Sequence, residues 1–402
     1  MFSSLKVREF RMYWISMFVS LLGSWVQSTA QSWLVFRLTQ SAFLMGLVGF
    51  LSYLPVSLLS LAAGVYVDRS IKRNLLVMTQ TMFALLALTL AFLVWTKTVQ
   101  IWHVIAIAAL NGFVLCFDAP ARHSMIVELV GRQHLNNAIA LNSAAFNSAR
   151  ILGPALAAVL IALIGTAGCF FVNAVSYLPV LAVLLRIKPF PAAERNGRAT
   201  VLGDIRESFA LIRGNRILLY LLGVAGLVST FGVSYLVLMP IFAQGILNAG
   251  AIGLAYLMSA SGLGALIGAL NIARLKHDRS RLRVMHFSVI GFFLAAVLFS
   301  VSLNLLLSCA FLVLAGVGAA GSMSIVNAML QTSVPDNHRG RIMGVFMTVF
   351  MGFIPFGSLL FGSLAQLFGA PSVIFFGGLI SLAVYLPVAR RFLAGESLLE
   401  AA

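Results

Sequence analysis

One arginine, Arg150, interrupts an apolar run. It lies about twelve residues in, or roughly 18 Å along a helix rising ~1.5 Å per residue. If that run crosses a bilayer with a hydrocarbon core about 30 Å thick, the cation sits near the middle, where a charge is costly and faces a bundle interior or a wet cavity. Ser143, Asn147, Arg150 and Pro154 recur at helical spacing, so the face around it is polar. Two chemistries fit. Either the guanidinium attracts an anionic or hydrogen-bonding solute, or it is tied to carbonyls or to Asp118 and holds helices together. Ser20, Ser24, Gln27 and Gln31 form a second polar stripe, and Ser324, Asn327 and Gln331 a third. Such stripes sit badly against lipid, where donors and acceptors go unsatisfied. They line a cavity or bond helix to helix. Trp25, Trp33, Tyr53, Phe146, Tyr235, Tyr256 and Phe350 are candidate aromatic walls in a chain with 31 Phe. The sequence holds no Ser/His/Asp arrangement, no metal-ligand spacing and no phosphate-cradling Gly-rich loop with Lys-Ser/Thr. No enzyme activity, cofactor or metal is therefore expected.

These residues sit in a chain of 402 residues, 61% hydrophobic and 9% charged, against about 45–50% and about 25% for a soluble domain. It reads as an all-α, polytopic membrane protein. The net charge of +16 raises the question of nucleic acid, but the cations are dispersed through short loops between apolar runs, where they set topology and meet anionic headgroups. No nucleic-acid partner is expected. Cys116, Cys169 and Cys309 lie inside apolar runs and suggest no disulfide framework. Lys6, Arg8 and Arg11 ahead of an apolar stretch look like a signal peptide, with Ser28-Thr29-Ala30 as its cleavage site. The stretch from Met12 to Phe36 is too long for that and more spans follow, so it reads as an uncleaved first helix.

With roughly 20 residues per span, the sequence predicts twelve: 12–36, 41–66, 75–96, 101–118, 138–163, 167–187, 217–243, 249–272, 284–303, 305–331, 342–366 and 371–390. With both termini inside, 24 of the 27 Lys and Arg fall on the cytoplasmic side, as the positive-inside rule requires of a multi-pass protein of the inner (cytoplasmic) membrane. All 11 acidic residues map to that side or to a helix end there. No carboxylate is expected mid-span, and Asp118, at the inner end of the fourth span, is the nearest candidate proton carrier.

The chain also reads as a duplication. Gly64 and Gly268 open two basic loops 204 residues apart, and Pro154 and Pro355 are separated by 201. Ser176-Tyr-Leu-Pro-Val180 is echoed by Val384-Tyr-Leu-Pro-Val388. Two six-helix halves follow, 1–187 and 217–402. They are joined by a linker, 188–216, whose Asp204 and Glu207 have capping-box spacing in an amphipathic surface helix with Ile205, Phe209 and Ile212 on one face.

The loop Gly64-x-x-x-Asp68-Arg69-x-x-Lys72-Arg73 resembles the one between the second and third helices of major facilitator superfamily transporters, which usually have Gly where this chain has Ile71. Ala140, Ala149, Gly153-Pro154 and Ala157-Ala158 resemble the glycine-rich antiporter motif of superfamily exporters, with Ala at every Gly except that before Pro154. Ordinary small-residue helix packing explains the same pattern. Together with Asp118-Ala-Pro-Ala-Arg122 and Asn137 to Asn142, nearly the whole chain resembles the branch of the enterobactin exporter and macrolide efflux proteins, the transmembrane secretion effector type. The resemblance implies alternating access around a central cavity lined by the first, fourth, fifth, seventh, eighth, tenth and eleventh spans, with proton antiport. It implies that Asp68 and Arg69 latch the halves, with Arg339 and Arg341 as candidate partners; a carboxylate that simply starts the third helix explains Asp68 as well. The expected cargo is a small amphiphile, a siderophore or another anionic or aromatic compound. A macrolide or multidrug pump is the alternative, and a non-transporting scaffold or sensor a third reading. A monomer is expected.

Overall fold

A lipid-embedded backbone has to satisfy its own hydrogen bonds, and helices do this within one segment. The computed structural model of the protein describes residues 3–190, 212–232, 234–272, 278–334 and 336–394, and among them only helices and turns occur. A short 3₁₀ turn (Ser3–Lys6) leads into α1 (Arg8–Thr39), α2 (Ala42–Asp68) and α3 (Lys72–Trp95). Next comes α4 (Ile101–Arg186), which folds back on itself at Gly131 (φ 64°) and Gly165 (φ 68°). Positive φ is open to glycine and strained for other residues, so α4 is three limbs: 101–130, 132–164 and 166–186. The remaining helices are α5 (Arg216–Gly232), α6 (Gly250–Ile272), α7 (Asp278–Ser300), α8 (Leu305–Thr332), α9 (Asp336–Phe368) and α10 (Ala370–Ala394).

Ten described stretches are long and apolar enough to cross a membrane, and Gln133–Arg186 among them holds two limbs. With α1, whose Ser, Thr and Gln residues dilute its apolar character, they supply the twelve predicted spans. Two expectations need correction. The fourth span does not end at 118, because the helix runs through Pro120 to Gly131. Hydropathy marks only the apolar stretch of a helix, and polar ends beyond it stay helical; α3 and α9 likewise start before their predicted bounds. The seventh span is not continuous over 217–243 either. α5 stops at Gly232, and a 3₁₀ turn (Ser234–Leu238), a helical turn (Met239–Ile241) and a π turn (Phe242–Ile246) follow. Pro240 lacks the N–H of a regular helix and its ring crowds the preceding turn. The wider turn closes with Leu247 N–H donating to the Phe242 carbonyl at 2.9 Å.

The described residues pack as two compact units, one drawn from Met1–Arg198 and Met239–Ser259, the other from Ala199–Leu238 and Ala260–Ala402. Met239–Ser259 thus packs with the first unit although it follows the midpoint of the sequence. The predicted amphipathic helix at 204–216 lies mostly outside the described residues. In the first unit an apolar cluster at the Asp68 end joins Phe10, Tyr13 and Met17 of α1, Leu75 and Leu76 of α3, Ala121, Met125 and Ile126 of the first limb, and Val180 and Leu184 of the third. Higher up, α1 crosses the second limb at Gly153, where an added Cβ would lie 2.3 Å from Trp25 Cβ. Gly153→Ala is expected to cost about 1–3 kcal/mol by overpacking, read as a lower melting temperature in detergent. Gly291→Ala in α7, where a Cβ would meet nothing within 4 Å, is expected to leave it unchanged or raise it.

Candidate transport site

The second limb presents two different faces. Ala149, Gly153, Pro154 and Ala157 are buried, and the close approach of Trp25 at Gly153 turns this small-residue face toward α1. Arg150 follows Ala149 by about 100° around the helix. It is half-buried, as are Asn147 and Ala158. Its guanidinium lies within electrostatic reach of the Tyr53 hydroxyl on α2. Asn147 donates to the Ser143 carbonyl at 2.8 Å, and Phe146 meets Trp25 edge to face at 5.9 Å. Ser259 of α6 donates to the Ile151 carbonyl at 2.9 Å, so the limb carrying Arg150 is met from three sides within this unit.

The α1 stripe divides. Gln27 is buried and its Oε1 accepts from Asn173 Nδ2 at 2.6 Å. Ser24 donates to the Ser20 carbonyl at 2.9 Å and lies 3.2 Å from the Tyr177 hydroxyl. Both therefore direct hydrogen bonds to the third limb, while Gln31 is half-buried one turn beyond. In the second unit, Gln331 Nε2 donates to Asn327 Oδ1 at 2.5 Å, and Ser324 and Asn327 are half-buried on α8.

At the Asp68 end of the first unit lies the strongest electrostatic feature. Asp118 has no exposed surface and sits inside a helix, not at its end. This corrects the expectation that Asp118 ends its span, and follows from the helix continuing past Pro120. Thr79 Oγ1 and Gln80 Nε2 of α3 donate to Asp118 Oδ1 at 2.8 and 2.7 Å, and Arg122 Nε stands 2.6 Å from Oδ2. The carboxylate thus has two hydrogen-bond donors on Oδ1 and an ion-pair partner at Oδ2. It is Arg122, one turn along the same helix, that closes the ion pair. The Tyr13 and Tyr177 hydroxyls both lie within electrostatic reach of this pair.

The basic loop is fastened to the same end. Asp68 and Arg69 are exposed, and a Cβ at half-buried Gly64 would meet nothing within 4 Å. Arg73 Nη1 donates to the Ile187 carbonyl at 3.4 Å. Lys72 is buried, donates to the Asp68 carbonyl at 3.0 Å and stands 3.9 Å from Glu128. Arg339 and Arg341 belong to α9, but their side chains lie outside the described ones. Among the described residues no group of His, Cys, Asp or Glu could hold a metal ion.

Sequence reasoning gave no site role to Lys72, Arg122 and Tyr177, which it met only as parts of motifs, and passed over Thr79, Gln80 and Asn173. Signals existed for some of them: Arg122 stands four residues after Asp118, and Thr79-Gln80 is an adjacent polar pair inside an apolar span. Nothing in the sequence distinguishes buried Lys72 from half-buried Arg73.

The all-α architecture is that of the major facilitator fold, in a chain whose family match makes it a multi-pass membrane transporter. A bacterial homologue of the lysosomal transporter Spinster superposes with a TM-score of 0.73 at 12% identity, covering 96% of this chain and 95% of that one. The chain belongs to the transmembrane secretion effector family, whose model matches residues 1–397. The staphyloferrin A transporter of Staphylococcus aureus is 26% identical over 89% of both chains. The multidrug efflux pump Tap of Mycolicibacterium fortuitum is 28% identical over 86% of this chain and 87% of its own. The enterobactin exporter EntS of Shigella boydii is 26% identical over 89% and 85%.

The Asp118 pair makes a direct test. Arg122→Met strands a buried carboxylate and is expected to cost about 3–5 kcal/mol, whereas the double variant Asp118→Leu/Arg122→Met recovers most of the loss. Thermal melting of the three proteins in one detergent reads this. A double variant no more stable than Arg122→Met would mean that the pair's geometry, rather than its stranded charge, matters.

Proposed function

We propose that this chain is a secondary-active exporter of the cytoplasmic membrane, with both termini inside, working as a monomer by alternating access between two six-helix halves (1–187 and 217–402, joined by 188–216). It moves a small amphiphilic anion or polar aromatic compound, a siderophore being the chemical type, in exchange for protons. The observation that carries the substrate class is Arg150. It is a half-buried cation deep in an apolar run, beside the Tyr53 hydroxyl, on a limb whose small-residue face is occupied by α1. A cation held there binds a catecholate or carboxylate and repels a lipophilic cation. Asn147, Gln31, Ser324, Asn327 and Gln331 supply hydrogen bonds in the proposed cavity, while Ser24 and Gln27 bind the third limb that backs it. Names among the relatives agree with this chemistry, since two refer to siderophores.

A macrolide or broad drug set is the second reading, favoured by the multidrug relative. Export from energised cells of a catecholate siderophore, a macrolide and a lipophilic cation, by the wild type and by Arg150→Gln, separates the two. The proposal expects siderophore export to fall at least ~10-fold in the variant, a loss of about 1.4 kcal/mol in interaction. Siderophore export unchanged at equal expression, or macrolide or cation export indifferent to Arg150, would make this a drug pump with Arg150 as a helix tie.

For the gate, we propose that Asp68 and Arg69, with Gly64 and Arg73 shaping their loop, latch the two halves in the outward-facing state, with Arg339 and Arg341 as their partners. Asp68→Asn then favours the inward-facing state. A cysteine at Gln331 should become several-fold more reactive toward a membrane-impermeant thiol reagent from the cytoplasmic side, and equal labelling in both proteins would remove the latch. As for coupling, Asp118 is the candidate proton carrier of the first half, and acts as one by opening its Arg122 pair during the cycle.

A further inference from the structure

The internal duplication picks out a second buried polar site. Tyr13 and Tyr220, Gln80 and His286, and Tyr177 and Tyr385 stand 207, 206 and 208 residues apart, the same spacing that relates the repeated loops and helix tails. In the first unit these positions surround Asp118. In the second, Tyr220 of α5, His286 of α7 and Tyr385 of α10 meet one another, and all three are buried. Tyr220 donates to the Tyr385 hydroxyl at 3.2 Å, and the Tyr385 hydroxyl lies 2.6 Å from His286 Nδ1, with the Tyr220 hydroxyl 3.2 Å from the same nitrogen. Phe392 stacks on Tyr220 with ring centroids 4.0 Å apart.

Tyr220 donates to Tyr385, which leaves the Tyr385 hydrogen for Nδ1 in the tautomer that carries a lone pair there. A neutral ring then bears its proton on Nε2, and that atom is buried with no hydrogen-bond partner among the described residues. Among the described side chains no carboxylate compensates a charge here. α5 contributes Tyr220 and α10 contributes Tyr385, while Arg216 and Arg390, on the same two helices, are exposed. α8, which packs along α7, has Cys309 near its far end as its one titratable group. On α7 itself, Arg281 and exposed Arg283 precede the ring by one turn or more. Among the described residues no carboxylate faces the imidazole.

We infer that His286 is a proton-binding site of the second unit, at the position its duplication relates to the Asp118 site of the first, with Tyr385 and Tyr220 as its hydroxyl relay. Tyr385 passes its proton to Nδ1 and takes one from Tyr220, which takes one from a hydronium ion of the aqueous phase and leaves water. The imidazole gains one proton and one positive charge, and both hydroxyls are regenerated. In the charged ring Nδ1–H becomes a donor, so Tyr385 must turn its own hydrogen away. Both nitrogens then need acceptors that the neutral arrangement lacks. Loading the site therefore loosens the junction of α5, α7 and α10, the mechanical step that a coupled proton needs. The inference deepens the proton-exchange reading of the proposed function and rests on it for its role in transport.

The test uses the full chain in lipid nanodiscs with isotope-labelled histidine, titrated by NMR between about pH 5 and about pH 9, the range in which histidine switches. His286→Gln assigns the signal, and Tyr385→Phe removes the relay while keeping the ring packed. The expected result is one histidine with its proton on Nε2 at high pH that charges on acidification, is absent from His286→Gln, and titrates at a different pH in Tyr385→Phe. A His286 that stays neutral across the whole range, or one protonated on Nδ1 when neutral, overturns the inference. Proton movement is then followed with a pH dye in proteoliposomes on adding enterobactin. Wild-type movement that falls about tenfold or more in His286→Gln, while enterobactin counterflow without a gradient persists, supports the coupling role. Undiminished movement in the variant overturns that role. If the wild type moves enterobactin but no proton, the proton-exchange reading fails, while a charging His286 still stands as a proton site.

Discussion

A charge with no exposed surface survives in an apolar surrounding only when its partners come with it. Asp118 meets that condition with two hydroxyl or amide donors from α3 and the guanidinium of Arg122. The rest of the first unit is arranged to make this possible. α3 has to lie against the first limb in the register that presents Thr79 and Gln80 together. The limb has to stay helical through Pro120, because Arg122 reaches back over one turn. The apolar cluster of Phe10, Leu76, Met125 and Leu184 then closes over the pair. A slip of one residue in α3 would carry Gln80 about 100° away and leave the carboxylate a donor short.

The same rule explains the fastening of the basic loop. Lys72 is buried, so its ammonium needs the Asp68 carbonyl and Glu128, while Asp68 itself stays exposed. The loop is thereby divided between residues that hold it to its own unit and residues that remain presented at the surface.

How much of this was legible in the sequence depends on how far each feature is set by neighbours along the chain. The spans were legible because hydropathy is a property of a segment, and the bends at Gly131 and Gly165 fall between predicted spans. The break in the seventh span was hidden, since apolar residues continue across it and Pro240 alone does not say where hydrogen bonding resumes. Arg150 was conspicuous because a charge in an apolar run needs no partner to be noticed. The fate of Gln27 was not, because turning to Asn173 rather than to a cavity depends on how α1 and the third limb meet. Asp118 was visible and its burial was not, because a proline two residues on reads as a helix end.

The duplication gives these observations a common frame. Both units place two tyrosines at related positions, and where the first has Gln80 donating to a paired carboxylate, the second has an imidazole among the tyrosine hydroxyls. Duplicated halves that were chemically identical would titrate together and could not distinguish one step of a cycle from the next. The first half thus holds a fixed structural pair, and the second the group that, on the inference drawn for His286, changes its charge.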